Sequence, residues 1–481
     1  MELKLKKRKH NKWMKNNILV VFILFFHTFS FGQTDYEKLK DFIPFENTSL
    51  ETHPIITIKV HVHVIQRSED NPQNLSKDNL GYIEQQLEWV NGMYSRFSKP
   101  TLLPISGDTC FIPDSRIRFR LDTVQFHVDA SDWDRIRTVL HMSGGAPWEI
   151  DTVDLRNNEI GIKGNLVNRF SSDIDSLTVI NSSNNNGVYS FVSKRQKGGI
   201  TFLKIQEKLS SELADGKLTF FKKHDINCSQ DIWKKYTNSD KNALHVFYTG
   251  SSRVSNSFGC GPSPYFLNVS NIDVNQGYAI ALLSGHELGH CLGLNHTNYP
   301  QFSDLPKTDK FGWIDCNNTN TSNNIMGYNK CRKYLSPLQV AHVHKRYTTD
   351  PNFIKTTTAN EYDTAYNVEV WDDSEWNKTM VVKGDVIVRK GQTLTIKKNV
   401  SMAAGATIYV EKKAKLIIDG ATITNHFEDK WYGVVICKSY ERKNKQPKKS
   451  IKRGIFKLKN GGIIENISLL QPKRIPNWLD E

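Results

Sequence analysis

Beyond its first thirty-two residues, the 481-residue chain has no apolar run approaching the roughly 20 residues that a spanning helix needs. No cysteine stands at the end of the leading apolar run, so the acylated thiol of a lipid anchor has no site there. A large excess of one charge is also missing. The net +14 of the whole chain falls to +8 once a leader with seven basic residues and one acid (Glu2) is removed. That is modest for the size and makes nucleic acid a poor candidate partner. Dense basic character outside the leader is confined to 438–453, with Arg442, Lys443, Lys445, Lys448, Lys449, Lys452 and Arg453. Such a run is ordinarily a solvated loop, and an acidic polysaccharide or a membrane surface is the sharper alternative.

What is present begins with an export signal. Residues 1–17 carry Lys4, Lys6, Lys7, Arg8, Lys9, Lys12 and Lys15; residues 18–32 are apolar and end in Ser30-Phe31-Gly32. This pattern predicts a secretory signal peptide over 1–32, cleaved before Gln33, and hence a secreted protein with no stable membrane span after cleavage. A retained anchor fits less well, because the run is short and contains His27. Residues 33–54 are polar and mixed and read as a short propeptide, without a cysteine that could occupy a metal. An exported chain with seven cysteines permits disulfides.

The chemistry is concentrated in His286-Glu287-Leu288-Gly289-His290-Cys291-Leu292-Gly293-Leu294-Asn295-His296. On a helix, His286 and His290 lie one turn apart on one face and can grip one metal ion. Glu287, beside them, is placed to act as general base for a water on that metal. His296 would lie about 15 Å beyond His286 if the helix continued, whereas a zinc–nitrogen bond is about 2.0–2.1 Å. The helix must therefore stop. Gly293 supplies the stop, since glycine enters the left-handed conformation without penalty. The complete pattern predicts three ligands, His286, His290 and His296, around one catalytic Zn²⁺. Cys291 points about 100° away from His290 and reads as a core or bridged residue.

Downstream stands Asn323-Asn324-Ile325-Met326-Gly327-Tyr328. With this segment the sequence resembles the metzincin metalloproteases, whose third-histidine motif is followed by a Met-turn beneath the zinc. Thr297 after the third histidine, the style of the Met-turn and its flanking cysteines resemble the pappalysin-like group most. The resemblance implies that Met326 floors the site and that Tyr328 binds the metal or steadies the tetrahedral intermediate; a phenol can donate to a developing oxyanion. Cys316 and Cys331 bracket the Met-turn and are the favoured disulfide, while the pairing of Cys110, Cys228, Cys260, Cys291 and Cys437 stays open. Ser336-Pro337-Leu338-Gln339 resembles the start of the group's terminal helix, with serine as N-cap and proline at the first position. The acidic segment linking the third histidine to the Met-turn is only loosely echoed, by Asp304, Pro306, Thr308 and Asp309.

The rest of the chain divides around this centre. Alternating Ile56, Ile58, Val60, Val62 and Val64 predict a strand over 55–66, with His61 and His63 on its other face as ordinary strand residues. Leu80, Ile83, Leu87, Val90 and Tyr94 form one stripe of a helix over 76–97. Ile117, Phe119 and Leu121, then 244–248, mark further strands. The expected fold class is α+β: a metzincin-like catalytic domain, twisted sheet plus active-site helix, over 55–350. An insertion at about 128–242 has more chain than a compact core needs. A threonine-rich stretch, 351–367, reads as a linker. From 368 to 481, short alternating runs with Gly391, Gly405 and Gly420 predict an all-β module that resembles a short right-handed β-solenoid; a β-sandwich is the alternative.

The expected function is hydrolysis of peptide bonds in protein or peptide substrates by a secreted zinc endopeptidase. The C-terminal module would then contact a glycan or surface. Two other classes stay open: an adhesion protein whose zinc site is structural or inactive, and a different zinc hydrolase such as an amidase.

Overall fold

The computed structural model describes residues 35–50, 52–102, 111–142, 148–167, 174–252, 257–298, 300–306, 322–437 and 453–468. The expected signal peptide, Cys110, Cys316, Thr308, Asp309 and all of the basic run except Arg453 lie outside the described residues. Among the described residues no helix is long and apolar enough to cross a membrane.

The alternating aliphatics of 55–66 form β1 (Ile56–Gln66). It lies in a five-stranded sheet with β2 (Ile117–Val128), β10 (Leu244–Thr249), β11 (Phe258–Ser263) and β12 (Phe266–Ser270), in the order β11-β12-β10-β1-β2. All pairings are parallel except that of β11, which runs antiparallel at one edge. One face of the sheet packs on α1 (Leu80–Ser95) and, further along the chain, on the helix that carries the histidine motif. The buried stripe of α1 is Ile83, Gln86, Val90, Met93 and Tyr94, whereas Leu80 is exposed. Gln86 tolerates burial because its amide donates to the Gly277 carbonyl. Ile65 and Phe247 face the other way, against α2 (Ala130–Trp133) and α3 (Asp231–Thr237), where Trp133, Ile232 and Trp233 cover them.

The insertion between these strands is a second sheet. Its seven strands are β3 (Ile136–Met142), β4 (Trp148–Asp154), β5 (Glu159–Lys163), β6 (Ile174–Ile180), β7 (Gly187–Lys197), β8 (Ile200–Ile205) and β9 (Lys217–Ile226), and they pair antiparallel in the order β3-β9-β4-β5-β8-β7-β6. It has its own core of Ile160, Ile162, Leu177, Val179, Leu203 and Leu218. A disulfide between Cys228 and Cys260 ties the chain just after this sheet to β11. Cys331 is also disulfide-bonded, and Cys291 and Cys437 are free.

After the motif helix α4 (Tyr278–Cys291) comes α5 (Pro337–Thr349). Ser336 and Gln339 form a reciprocal capping box at its start, with Pro337 at the first position. Asp304 adds a second clamp, accepting from Ser336 Oγ and the Leu338 N–H, each at 2.7 Å. Of the threonine-rich stretch expected to be a linker, 351–367, the part around Thr356–Thr358 is packed, whereas 361–365 are exposed. Beyond α6 (Pro351–Ile354), Lys59 N–H donates to Thr356 O and Thr358 N–H to Thr57 O, both at 2.9 Å. Thr356 and Thr357 return their hydroxyls to the Phe353 and Ile354 carbonyls at 2.8 and 2.7 Å. These local bonds satisfy the polar side chains and let the segment be buried against β1.

From Val368 to Ile464, twelve short strands form three parallel four-stranded sheets, successive strands joining the three sheets in rotation. Val386 lies opposite Ile408, and Leu394 opposite Leu416, so one circuit takes about 22 residues there. This arrangement is compatible with the expected solenoid. Its interior is a ladder of Val386, Val388, Leu394, Ile396, Val400, Ile408, Val410, Leu416, Ile418 and Ile423. Gly391, Gly405 and Gly420 all have positive φ and turn the chain between strands. Their spacing of 14 and 15 is about two-thirds of a circuit, so each sits at a different corner.

One buried titration follows from this packing. His344 on α5 is 3% exposed and its Nε2 donates to the Ser115 carbonyl at 2.8 Å. Burial pushes its pKa down to about 3, against about 6.5 for an unfolded histidine. The unfolded chain therefore binds a proton below about pH 6.5 that the folded chain refuses. Thermal stability should fall as pH drops from 6.5 to 4, by about 1–2 kcal/mol at pH 5 from this group. His344→Gln keeps an amide donor for Ser115, so melting curves of this variant should show a shallower loss; an identical slope would contradict the assignment.

Candidate functional site: three converging imidazoles

The motif helix α4 packs closely because of its glycines. A Cβ on Gly285 would come 2.8 Å from Met93 Cε, and one on Gly289 would lie 2.2 Å from Met326 Sδ. Tyr94 Oη donates to the Gly285 carbonyl at 2.8 Å. Met326, completely buried, thus sits directly against the turn that carries His286 and His290.

The helix ends where the sequence places its stop. Gly293 has φ +91°. Its N–H donates to His290 O, and the next N–H, of Leu294, reaches back to Gly289 O at 3.0 Å. These are the paired bonds of a Schellman ending. The chain reverses, and Thr297 N–H donates to Met326 O at 3.2 Å, which docks the segment carrying His296 on the Met-turn.

The result is a convergence of three ring nitrogens. His296 Nε2 lies 2.9 Å from His290 Nε2 and 3.0 Å from His286 Nε2. His286 Nδ1 donates to Ile325 O at 2.7 Å, and His290 Nδ1 to Leu294 O at 2.8 Å. A carbonyl can only accept, so both Nδ1 atoms carry hydrogen and, in neutral rings, both Nε2 atoms present lone pairs. Burial keeps the rings neutral: it lowers the pKa of His286 and His290, and takes His296 to about 4. One proton on His296 cannot satisfy two lone pairs, whereas a cation among the three nitrogens satisfies all of them. Three imidazoles suit a borderline divalent ion such as zinc, and two of them already have the outer hydrogen bond that fixes a ligand's tautomer.

Glu287 lines the same site and is 6% exposed. Burial lifts its pKa to about 7, against the opposing pull of the Arg332 guanidinium and the Gly261 N–H. Gly259 and Gly261 on β11 make room for it; a Cβ on Gly259 would be 2.7 Å from Glu287 Cγ. Tyr328 Oη stands 3.2 Å from His296 Nδ1, with its pKa raised to about 12 by burial.

No protein-family model matches the chain, and no curated protein or solved structure matches it.

All of His286, Glu287, His290, His296, Met326 and Tyr328 come together, with Gly293 in the turn that allows it. Of the expected Cys316–Cys331 pair, Cys331 is bonded and Cys316 lies outside the described residues. Cys291 stays out of the cluster, its Sγ 3.4 Å from the Phe266 carbonyl. Sequence reasoning missed Arg332. It is 1% exposed and held by the Leu282 and Gly327 carbonyls at 2.8 and 3.2 Å. It places a fixed positive charge behind Glu287 and Tyr328. Its position one residue after Cys331 carries no signal that would have marked it.

The turn gives a direct prediction. Gly293→Ala forces an L-residue to φ +91° and sets its methyl against Arg346, whose Nη1 lies 1.6 Å from the ideal Cβ position. Stability should fall by about 1–3 kcal/mol, and zinc affinity should fall with it because His296 is displaced. Calorimetry and zinc titration of this variant matching the parent would refute the role of the turn.

Proposed function

We propose that the chain is a secreted zinc endopeptidase with a metzincin-like catalytic domain over 55–350 and a short right-handed β-solenoid over 368–481. The observation that carries this reading is the convergence of His286, His290 and His296 with Glu287 buried beside them. A structural zinc site is normally closed by a fourth protein ligand and has no use for a carboxylate base; an open three-histidine set with one is the pattern of a hydrolase.

His286, His290 and His296 would hold the ion, their Nε2 atoms being the ones that converge. When bound, zinc supplies Lewis acidity that polarises the scissile carbonyl and acidifies water. The Glu287 carboxylate takes a proton from the attacking water and delivers it to the departing amine nitrogen. Water adds to the carbonyl carbon, the C–N bond breaks, and an acid and an amine leave. Tyr328 Oη donates to the oxyanion as it forms. Arg332 restrains the charge on Glu287 from behind. Met326 supports the histidine turn without touching substrate.

The edge strand favours a peptide as substrate. β11 ends the five-stranded sheet beside Glu287, and a sheet edge offers backbone groups that an extended peptide can meet as an added strand. On the C-terminal module Trp371 is 63% exposed, with the Arg389 guanidinium 4.7 Å from its ring. Such an exposed aromatic suits the proposed contact with a glycan or surface.

Glu287→Ala should abolish cleavage of an unfolded protein substrate, by at least about 10³-fold, while zinc content stays unchanged. Normal turnover in that variant would sink the mechanism, and bound zinc with no cleavage by the parent would favour the adhesion reading. Tyr328→Phe should lower kcat by about 10²-fold with little change in KM; a loss confined to KM would remove Tyr328 from oxyanion stabilisation.

A further inference from the structure

The face of the main sheet turned away from α4 carries a second cluster. His61 on β1 and His245 on β10 are register partners on adjacent parallel strands, so their side chains project side by side. Asp240 joins them from the loop after α3. One ring nitrogen from each histidine and a carboxylate oxygen of Asp240 all lie within 4.8 Å of one another. Val60, Val62, Leu244 and Val246 point to the opposite face, into the core shared with α4. The two histidine clusters are thus separated by the sheet itself.

Three observations indicate that this cluster is a built site. His245 is 2% exposed, and its buried Nε2 has no well-aligned hydrogen bond, facing Asp240 Oδ2 at 3.3 Å. The carboxylate stands at ion-pair distance from that nitrogen, and His245 beside it holds the Asp240 carboxyl below its ordinary range. Asp240 is also held in place from its other side. Its Oδ1 accepts from Asn242 N–H and Nδ2 at 3.0 and 2.9 Å, and its carbonyl accepts from Trp233 Nε1 at 3.1 Å. Asn238 and Ser239, both at positive φ, bend the chain back to the sheet at this point. Oδ2 is what remains for the histidines.

The third observation is the arrangement behind His245. Its Nδ1 is 2.9 Å from His63 Nε2, and His63 Nδ1 is 3.1 Å from His127 Nε2. If an ion takes the lone pair of His245 Nε2, the hydrogen belongs on Nδ1. His245 then donates to His63, and His63 donates to His127, each ring with one donor and one acceptor. An outer hydrogen bond of this kind is what fixes the tautomer of a metal-bound histidine.

We propose that His61, His245 and Asp240 form a second divalent-metal site, tying the sheet to the loop before β10. Two imidazoles and one carboxylate suit zinc, or cobalt as its probe. Half-exposed His61 and Asp240 leave the outer side open to a water as fourth ligand. The ion would pin two central strands to the loop through which the inserted sheet and α3 rejoin the main sheet.

The test is zinc content of the full secreted chain by elemental mass spectrometry, for the parent and for His61→Ala and Asp240→Ala. Each variant should lose one zinc equivalent per chain, whatever occupies the His286–His290–His296 site. Chelator should lower the Tm of the parent more than that of His61→Ala. His61 is half-exposed, so its variant keeps the test decisive if Asp240→Ala fails to fold. An unchanged zinc count in folded His61→Ala, with the same response to chelator, would overturn the second site and reduce the cluster to a His245–Asp240 ion pair.

Discussion

Imidazole nitrogens brought as close as the 2.9 and 3.0 Å that separate His296 Nε2 from His290 and His286 cannot all present lone pairs unless a cation lies among them, and the organisation of the half of the chain around α4 follows from holding them there. The helix α4 supplies two of the rings and Gly293 turns the chain so that a third can return. The Ile325 and Leu294 carbonyls orient the first two rings. Each support comes from a different stretch of chain, so the convergence is a property of the tertiary structure. The helix alone could not make it.

The packing around α4 is shaped for that purpose. Glycines at 285 and 289 let Met93, Tyr94 and Met326 approach the helix backbone, and glycines at 259 and 261 let β11 approach Glu287. In both cases a side chain is given up for close backbone contact. The buried Arg332 is held by carbonyls in the same wall. A guanidinium in such surroundings is costly to bury, and its placement behind Glu287 and Tyr328 gives that cost a chemical use under the proposed mechanism.

Periodicity and local turn chemistry made part of this legible in the sequence. β1 showed itself by strict alternation, α4 by the i, i+4 histidines, α5 by Ser336-Pro337, and the reversal by Gly293. Other features depend on what meets what across the fold. The Cys228–Cys260 bond joins residues 32 apart through sheet topology, which spacing does not encode. The inserted sheet has long strands such as Gly187–Lys197, in which only Tyr189 is buried, so the alternation that marks a strand is absent. The threonines of 356–358 looked like linker because their hydroxyl bonds to nearby carbonyls cannot be read from composition. The glycine spacing of 14–15 concealed a circuit of about 22 residues, since successive glycines mark different corners. His61 looked like an ordinary strand residue because its partners, His245 and Asp240, are more than 170 positions away.

The central claim is that His286, His290 and His296 hold one zinc ion through their Nε2 atoms. Anomalous diffraction from crystals of the protein, collected on either side of the zinc absorption edge, tests it most directly. The account predicts an edge-dependent peak about 2.0–2.1 Å from all three nitrogens, facing Glu287. Well-ordered histidines with no such peak between them, in protein purified with zinc at neutral pH, would contradict it.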